Sequence, residues 1–514
     1  MIAWHKASTT GNPSDGINNA ITAMFLKSKI DPKDVASVTI GTTHFINAVV
    51  EQDSARLAKV AIVRLCGPFS KGVPPCVDWP VNLRELICGY YCCVKGGLEV
   101  DGSLISEIDE DEIREQVKTI REKGIKSIVV NGVFSPVDVH FMQEERTAEI
   151  IHEVYPEADI VTSKDVANLG FLERENAAIL NASILPFARK TIRSFQTAIL
   201  RLKLQCPVFI TQNDGTILLA RAAAKLPIRT FSSGPTNSMR GAAFLTQNGI
   251  KESMMVVDIG GTTTDVGLLL ANGFPRQAAA FSEISGVRTN FSYPDVRSIG
   301  LGGGSIVRMS HDGKLTVGPD SVGYRLTEEA LVFGGNTPTA TDYTVLADPK
   351  AADIGDRSLV SGLSLGGNAE EFRSVVKKML ERAIDMMKTS ADDLPVLLVG
   401  GGAVIAPDEL AGASKVVKPE WSGVANAIGA ATARVSGIID TIESTEAKTT
   451  SRVMEETSKR AIEKAVENGA KRETIQVVEM DHLPLQVRQT EASATRSLHH
   501  LTTFSILQTN HDLS

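Results

Sequence analysis

Residues 256–275, VVDIGGTTTDVGLLLANGFP, contain the first group of side chains that could do chemistry. Gly260 and Gly261 let the backbone approach a ligand closely, so backbone N–H groups and the hydroxyls of Thr262 to Thr264 could bind phosphate oxygens. Asp258, at the end of an apolar run, could hold a divalent ion through water. The segment therefore predicts a phosphate-binding turn, with an ordinary hairpin rich in small residues as the alternative.

The elements on either side of this turn are both strands. MMVVD precedes it and VGLLL follows it, and Asn272 and Gly273 then read as a second hairpin turn. A dinucleotide-binding fingerprint or a Walker loop needs a helix after the glycines, and neither GxGxxG nor GxxxxGK[ST] is present. The order of strand, loop and strand argues against both of those mechanisms.

Two further glycine-rich segments follow apolar runs. In LLVGGGAVI, Gly400, Gly401 and Gly402 come after a strand at the edge where open α/β sheets bind ligands. A helix of small residues, VANAIGAATARVSG, follows, so a close contact between helix and strand explains these glycines equally well. The third segment, SIGLGGGSIVRM (298–309), predicts a turn near the same cleft.

Polar loops after predicted strands supply the remaining candidates, because binding residues concentrate on loops. Each has a structural explanation too: helix capping for the threonines, and a structural role for a single histidine. No HExxH spacing is present. The candidates are Thr42, Thr43, His44 and Asn47 in GTTHFIN, Asn213 and Asp214 in TQNDGT, and Ser233 and Gly234 in FSSGPTNSM.

Composition excludes several classes of protein. The net charge of −8 and the pI near 5.7 have the wrong sign for a protein that binds nucleic acid. No run reaches the ~20 apolar residues of a membrane span. The N-terminus lacks the basic and apolar regions of a secretory signal, so we expect a cytoplasmic protein without a membrane partner.

The six cysteines are too few for a disulfide scaffold. Five of them lie within residues 66–93, which raises the question of a metal cluster. No second CxxC pair or nearby histidine completes a tetrahedral set, so half-buried thiols are the favoured interpretation.

Helical and strand patterns alternate along most of the chain, which predicts α/β layering. We expect an N-terminal domain at 1–185, a second α/β domain at 186–437, and a C-terminal extension of helix and strand at 438–514. The last ~25 residues show no clear period, and we expect them to be poorly ordered.

The order of the motifs GTTHFINAVVE, LERENAAILNASILPF, NDGT, RTFSSGPTNSMRGAAF, DIGGTTTD, SIGLGGGSI, VGPDSVG and LVGGGAV resembles that of the hydantoinase A and 5-oxoprolinase family over residues 1–435. The resemblance implies two actin-like, ribonuclease H-like ATPase domains with mixed sheets flanked by helices. It also implies hydrolysis of a cyclic amide, of the hydantoin or 5-oxoproline type, that depends on ATP and Mg²⁺. Transfer of the terminal phosphoryl group to the amide oxygen would create a good leaving group. A homodimer or a hydantoinase B-type subunit is the partner it implies.

The resemblance also assigns roles to residues. Asp258 to Asp265 match the second phosphate hairpin of the family, and 400–402 match the loop that meets the nucleoside. The candidate catalytic residues are Asp258, Asp265 and His44; the cofactor-binding ones are Gly260, Gly261, Thr262, Thr263, Thr264, Gly400, Gly401 and Gly402; the substrate contacts are Thr42, Thr43, Asn47, Asn213, Asp214, Ser233 and Gly234; and the metal ligand is Asp258.

Both ends depart from the family pattern. Members usually begin with a further strand and a DxGGTxTD-type hairpin, which in this sequence would precede Met1, and they continue into an ordered strand after DHLPLQV. We therefore expect an N-terminally truncated chain that lacks the first phosphate hairpin. A nucleotide-binding or scaffold protein without turnover is the alternative function, and a sugar or acetate kinase is a third.

Overall fold

The structure is a computed structural model of the 514-residue chain. The residues that it describes are 1–7, 13–168, 170–246, 252–278, 281–348, 351, 353–361, 369–443, 448–477 and 480.

Helices and strands alternate in the described chain, as the periodicity predicts. The helices are α1 (Pro13–Ser28), α2 (His44–Val50), α3 (Val81–Ile87), α4 (Glu110–Glu122), α5 (Gln143–Val154), α6 (Ser163–Val166), α7 (Phe171–Arg201), α8 (Ala220–Ala223), α9 (Ser233–Leu245), α10 (Leu326–Glu329), α11 (Ala340–Ala347), α12 (Ser358–Ser361), α13 (Ala369–Met387), α14 (Ala425–Thr432) and α15 (Thr450–Glu467). The strands are β1 (Val38–Ile40), β2 (Val60–Leu65), β3 (Cys88–Val94), β4 (Ser127–Gly132), β5 (Asp159–Thr162), β6 (Val208–Thr211), β7 (Ile217–Leu219), β8 (Met254–Ile259), β9 (Thr264–Leu269), β10 (Ser282–Ile284), β11 (Val287–Thr289), β12 (Val296–Ile299), β13 (Ser305–Met309), β14 (Leu315–Ser321), β15 (Leu394–Val399) and β16 (Ala413–Val417).

A four-stranded parallel sheet occupies the N-terminal third, in the order β3-β2-β4-β5. β2 and β4 are buried throughout, because α4 and α5 cover one face and α7 covers the other. Apolar residues on both faces of a strand produce continuous apolar runs such as SIVV, the pattern that indicates a parallel sheet.

The second sheet has three strands in the order β1-β6-β7. β1 is parallel to β6, and β6 is antiparallel to β7. The helix α7 is 31 residues long and runs through residues 185 and 186, where the sequence predicts a domain boundary. Because β1 and β6 pair across that point, α7 connects the two sheets through one apolar core, and the division into domains stays a prediction.

The third sheet holds the candidate site and has the order β12-β9-β8-β15-β16. β12, β9 and β8 are antiparallel neighbours, whereas β8, β15 and β16 are parallel. The helix α13 packs on one face, and α9 and α14 pack on the other. This is the mixed sheet flanked by helices that the actin-like fold requires.

The C-terminal extension contains α15, which confirms the predicted helix there. The strand expected after it is not formed at residues 475–477, and the rest of the predicted strand and tail lies outside the described residues except for residue 480.

Candidate functional site

One row of polar residues crosses the five-stranded sheet at its edge. Ser298 of β12 pairs with Asp265 of β9, Asp265 pairs with Asp258 of β8, and Asp258 pairs with Val399 of β15. Paired residues on neighbouring strands point to the same face, so a hydroxyl and two carboxylates lie side by side. The row lies at the C-terminal ends of the parallel strands β8 and β15, where open α/β sheets bind ligands.

The predicted strand, loop and strand around this row are confirmed. The N–H of Gly260 donates to the carbonyl oxygen of Thr263 at 2.9 Å and closes the turn between β8 and β9. Residues 261–263 at the tip are exposed. Thr264 is buried, and its hydroxyl donates to the carbonyl oxygen of Leu301 at 2.7 Å, so this threonine holds a neighbouring segment in place.

Electrostatics at the row favour a positive ligand. Burial raises the pKa of Asp258, against the opposing effects of a hydrogen bond with Ser238 and the charge of Lys6. Burial likewise raises the pKa of Asp265 to about 6; the hydroxyl of Ser298 donates to this carboxylate, and the charge of Asp258 adds to the rise. Two adjacent carboxylates that resist ionisation are stabilised by a cation placed between them.

The glycine-rich segment 298–309 braces the hairpin directly. The N–H of Gly303 donates to the carbonyl oxygen of Gly260 at 3.0 Å, and that of Gly304 donates to Gly261 at 2.7 Å. A Cβ on Gly302 would lie 2.6 Å from the backbone nitrogen of Thr262, so only glycine permits this approach. The expected turn near the cleft is therefore present, and it contacts the backbone of the hairpin.

The second triglycine turn, after β15, braces the opposite side. The N–H of Gly402 donates to the carbonyl oxygen of Ile259 at 2.7 Å. Gly400 has a left-handed φ of +89°, and a Cβ there would lie 2.2 Å from Oδ1 of Asp258. Gly401 between them is exposed. The structure thus places these glycines against the candidate metal ligand.

The first turn of α9 contacts the same row. Asn426 of α14 donates through Nδ2 to the carbonyl oxygen of Gly234 at 2.8 Å and to Oγ of Ser238 at 3.3 Å. Ser238 in turn hydrogen-bonds Asp258. A continuous set of contacts therefore links Gly234 to the hairpin.

The loop before α2 reaches α9 as well. The buried hydroxyl of Ser233 donates to the carbonyl oxygen of Thr42 at 3.0 Å. Thr43 is exposed, and its Cγ2 lies 3.2 Å from the Cβ position of Gly234. Asn47 is exposed one helical turn later. Thr42, Thr43, Ser233 and Gly234 therefore lie close together, and their contact with substrate stays a prediction.

His44 has a different electrostatic environment from the hairpin. Its pKa is lowered by burial and by the charge of Arg56, and Glu51 partly opposes this. These charges come from the C-terminal end of α2 and the loop after it, and neither hairpin carboxylate contributes to the shift. The backbone N–H of His44 donates to the hydroxyl oxygen of Thr42 at 3.2 Å, so Thr42 stabilises the turn that leads into α2.

Asn213 has a structural role that the sequence does not reveal. Its Oδ1 accepts from the N–H of Ser232 at 2.7 Å, and its Nδ2 donates to the carbonyl oxygens of Ile228 and Ser292 at 3.1 and 3.2 Å. The side chain is buried, and these bonds use both hydrogens of Nδ2 and fix its orientation.

Asp214 faces another cavity, of about 560 Å³, lined also by Arg229 and Asp440. Thr216 donates to its Oδ1, burial raises its pKa, and its buried Oδ2 has no hydrogen-bond partner. No residue of the hairpin lines this cavity among those described. The two residues of the NDGT turn therefore do not share the cleft of residues 258–265.

Two models of one family match this sequence. The hydantoinase/oxoprolinase N-terminal region matches residues 1–155, and the hydantoinase/oxoprolinase model matches residues 174–349. The chain belongs to the hydantoinase/oxoprolinase family. The similarity that the motif order indicates is thus confirmed.

Curated relatives of this hydantoinase/oxoprolinase chain include an acetophenone carboxylase gamma subunit from Aromatoleum aromaticum, 29% identical over 52% of this chain and 36% of that protein. A caprolactamase subunit alpha from Pseudomonas jessenii is 24% identical over 54% of this chain and 38% of that protein. A 5-oxoprolinase from Pestalotiopsis fici is 24% identical over 63% of this chain and 27% of that protein. The matched part of the chain thus spans well under half the length of each of these relatives.

Two solved structures share the fold. The nucleotide-free structure of an acetone carboxylase matches 98% of this chain and 83% of its own, with a TM-score of 0.67 and 18% identity. The structure of the ATP-dependent caprolactamase from Pseudomonas jessenii matches 98% of this chain and 77% of its own, with a TM-score of 0.69 and 18% identity. The expected α/β fold with mixed sheets is confirmed.

Several residues of the site in this hydantoinase/oxoprolinase chain have no signal in their own segments. Ser298 becomes a partner of Asp265 only through the pairing of β12 with β9. Burial and the charge of Asp265 raise the pKa of Tyr293, and a hydrogen bond with Ser232 opposes the rise. The register of the strands and the path by which the chain returns to the sheet bring these side chains together. Neither can be read from a single sequence.

Metal and membrane features can be stated for the described part of the chain. The six cysteines are free thiols, and the described residues contain no group of three or more histidine, cysteine, aspartate or glutamate side chains suited to a metal ion. Asp258 and Asp265 would therefore need water or phosphate oxygens to complete a magnesium shell. Of the described helices, none has the length and apolar character to cross a membrane.

Proposed function

We propose that this chain binds Mg-ATP at the hairpin of residues 258–265 and hydrolyses a cyclic amide of the hydantoin or 5-oxoproline type through phosphorylation of the amide oxygen. The observation that carries the proposal is the pair Asp258 and Asp265, which lie opposite each other at the base of an exposed turn. The two triglycine turns hydrogen-bond the backbone of this hairpin. The similarity of the chain to a caprolactamase subunit and to a 5-oxoprolinase supports the substrate class.

The residues present fit these ligands. Residues 261–263 are exposed and offer backbone N–H groups and the hydroxyls of Thr262 and Thr263 to phosphate oxygens. The carboxylates of Asp258 and Asp265 would hold Mg²⁺ directly or through water, and because burial raises the pKa of both, a cation between them would stabilise their charged forms. A Cβ at Gly302 or Gly400 would block the approach of the bracing turns.

Bound ATP and Mg²⁺ would supply an activated phosphoryl group, which converts the amide oxygen into part of a leaving group. The chain would contribute position and charge: the hairpin fixes the phosphates, and the two aspartates offset the charge of the metal. Asp265, opposite Asp258 at the base of the turn, is the group that would accept a proton from the attacking water.

Association with a second subunit is part of the proposal. Two of the relatives are named as subunits of larger enzymes, an acetophenone carboxylase and a caprolactamase. We propose a hydantoinase B-type subunit or a second copy of this chain as the partner.

The alternative is a nucleotide-binding protein without turnover.

Phosphate release, measured with and without hydantoin or 5-oxoproline, tests the proposal. We expect the amide to stimulate release, and Asp258→Asn to lower the stimulated rate at least about tenfold because the metal loses a ligand. Asp312→Asn, which removes the same charge from the exposed turn between β13 and β14, should leave the rate unchanged. Nucleotide binding without any amide-dependent release would overturn the hydrolase and support the alternative.

A further inference from the structure

Two half-exposed tryptophans, Trp4 and Trp421, lie beside the triglycine turn at residues 400–402. Trp421 follows β16, and the carbonyl oxygen of the next residue, Ser422, accepts the N–H of Gly400 at 3.0 Å. Trp4, from the N-terminal segment, meets Trp421 edge to face, with ring centroids 6.3 Å apart and an interplanar angle of 67°. Each tryptophan is 43% exposed, so a large aromatic surface faces solvent at this edge of the sheet.

The conformation at Trp421 is unusual for this residue type. Its φ of +67° lies in the left-handed region, which is unfavourable for a residue with a large side chain. Non-glycine residues held in such regions cluster at ligand-binding sites, where the surrounding structure compensates for the strain. Here the compensation comes from the backbone contact between Ser422 and Gly400.

The segment that carries Trp4 also reaches the hairpin. The charge of Lys6, two residues later, acts on Asp258, and Lys6 Nζ lies 2.7 Å from the Cβ position of Gly401. Nζ of Lys27 in α1 lies 5.8 Å from the ring centroid of Trp4. The chain segments that carry the two indoles therefore both contact the turn at 400–402, through Ser422 and through Lys6.

We propose that Trp421, flanked by Trp4, is the platform on which the base of the bound nucleotide stacks. The inference rests on the proposed function, because it places the phosphates at residues 258–265 and the nucleoside at Gly400–Gly402. Flat aromatic bases stack on indole rings with a substantial gain in affinity. The triglycine turn carries no side chains of its own, and Lys6 Nζ lies over Gly401 between the hairpin and the indoles, as a charged partner for the ribose or phosphates.

Titration of Mg-ATP and of Mg-tripolyphosphate, which has the phosphates without a base, tests the platform. Trp421→Ala should weaken ATP binding about tenfold and leave tripolyphosphate binding unchanged, because stacking on one aromatic ring contributes an effect of this size. Trp421→Phe should restore most of the loss. Phe69→Ala, which removes an aromatic ring of 53% exposure from the loop after β2, is the matched control and should change neither affinity.

Intrinsic fluorescence gives a second readout, since the chain has three tryptophans and the third, Trp79, is buried. ATP should change the emission of the wild type, tripolyphosphate should not, and Trp421→Phe should remove most of the change. Equal ATP binding by Trp421→Ala and wild type would overturn the platform and leave the proposed function standing. Equal loss of both ligands would show that Trp421 only supports the local fold. Failure of the wild type to bind either ligand would overturn the proposed function as well.

Discussion

Asp258 and Asp265 lie directly opposite each other on the antiparallel strands β8 and β9, with their carboxylates on the same face of the sheet. The charge of Asp258 contributes to the raised pKa of Asp265. Like charges on facing residues are unfavourable in a sheet, so the arrangement persists at a cost to the stability of the protein. Such a cost is typical of a site that receives a cation.

Asp265→Asn should stabilise the free protein at high pH. Burial raises the pKa of Asp265 to about 6 in the folded protein, above its ordinary value of 3.8, so the destabilisation is absent below about pH 4, grows as the pH rises from 4 to 6, and is fully present above 6. Asparagine keeps the acceptor for Ser298 and carries no charge. We expect the melting temperature to rise about 2–4 °C at about pH 8 and by less at about pH 5.

The same substitution should weaken Mg-dependent ATP binding, because stability and ligand binding place opposite demands on this carboxylate. For the wild type, affinity should fall as the pH drops below about 6, where Asp265 takes up a proton. A melting temperature that is lower for Asp265→Asn at both pH values would show that the carboxylate stabilises the fold instead.

Gly400→Ala should disrupt the site more than an equivalent change elsewhere. Alanine at this position adds left-handed strain and places a Cβ 2.2 Å from Oδ1 of Asp258. Gly313→Ala is the matched control, because Gly313 has a similar φ of +76° and no atom within 4 Å of its Cβ position. Both changes should cost about 1 kcal/mol in backbone strain. Only Gly400→Ala should also lower the affinity for Mg-ATP, measured by calorimetry; equal effects would mean that Gly400 matters for its backbone alone.

Glu175→Gln should destabilise the N-terminal part of the chain. Glu175 of α7 and Arg64 of β2 form an ion pair with no exposed side-chain surface, with Nε and Oε1 2.9 Å apart, and Asn131 donates to the same Oε1. Loss of the carboxylate leaves the guanidinium buried without a counter-charge, which costs about 3–5 kcal/mol.

Urea denaturation followed by tryptophan fluorescence can measure this loss. Trp79 is buried, and its indole N–H donates to Asn176, which lies on α7 next to Glu175. Asp320→Asn removes a carboxylate from an exposed pair with Arg308 and should cost less than about 1 kcal/mol. Similar losses for the two variants would contradict the importance assigned to burial.

The hairpin could be predicted from sequence because its information is local. Two apolar runs, a turn of small residues and the absence of a following helix define β8, the turn and β9, and the structure confirms them. The role of Thr264 could not be predicted in this way. Its hydroxyl bonds Leu301, 37 residues away, and that contact depends on how β12 returns to the sheet.

The NDGT turn shows where prediction from residue type fails. Its polar residues match the type expected of a binding loop, yet Asn213 hydrogen-bonds residues 228, 232 and 292, and both Asn213 and Asp214 line a cavity to which no residue of the hairpin contributes among those described. Residue type indicates which side chains can bind a ligand, whereas burial and partners decide which of them are free to do so.

Calorimetric titration of Mg-ATP into the wild type, Asp258→Asn and Asp312→Asn tests most directly whether the hairpin binds the nucleotide. We predict binding that depends on Mg²⁺ in the wild type and in Asp312→Asn, and a loss of at least about tenfold in Asp258→Asn, since one carboxylate ligand is removed. Equal affinity in all three proteins would contradict the assignment of residues 258–265 as the nucleotide site.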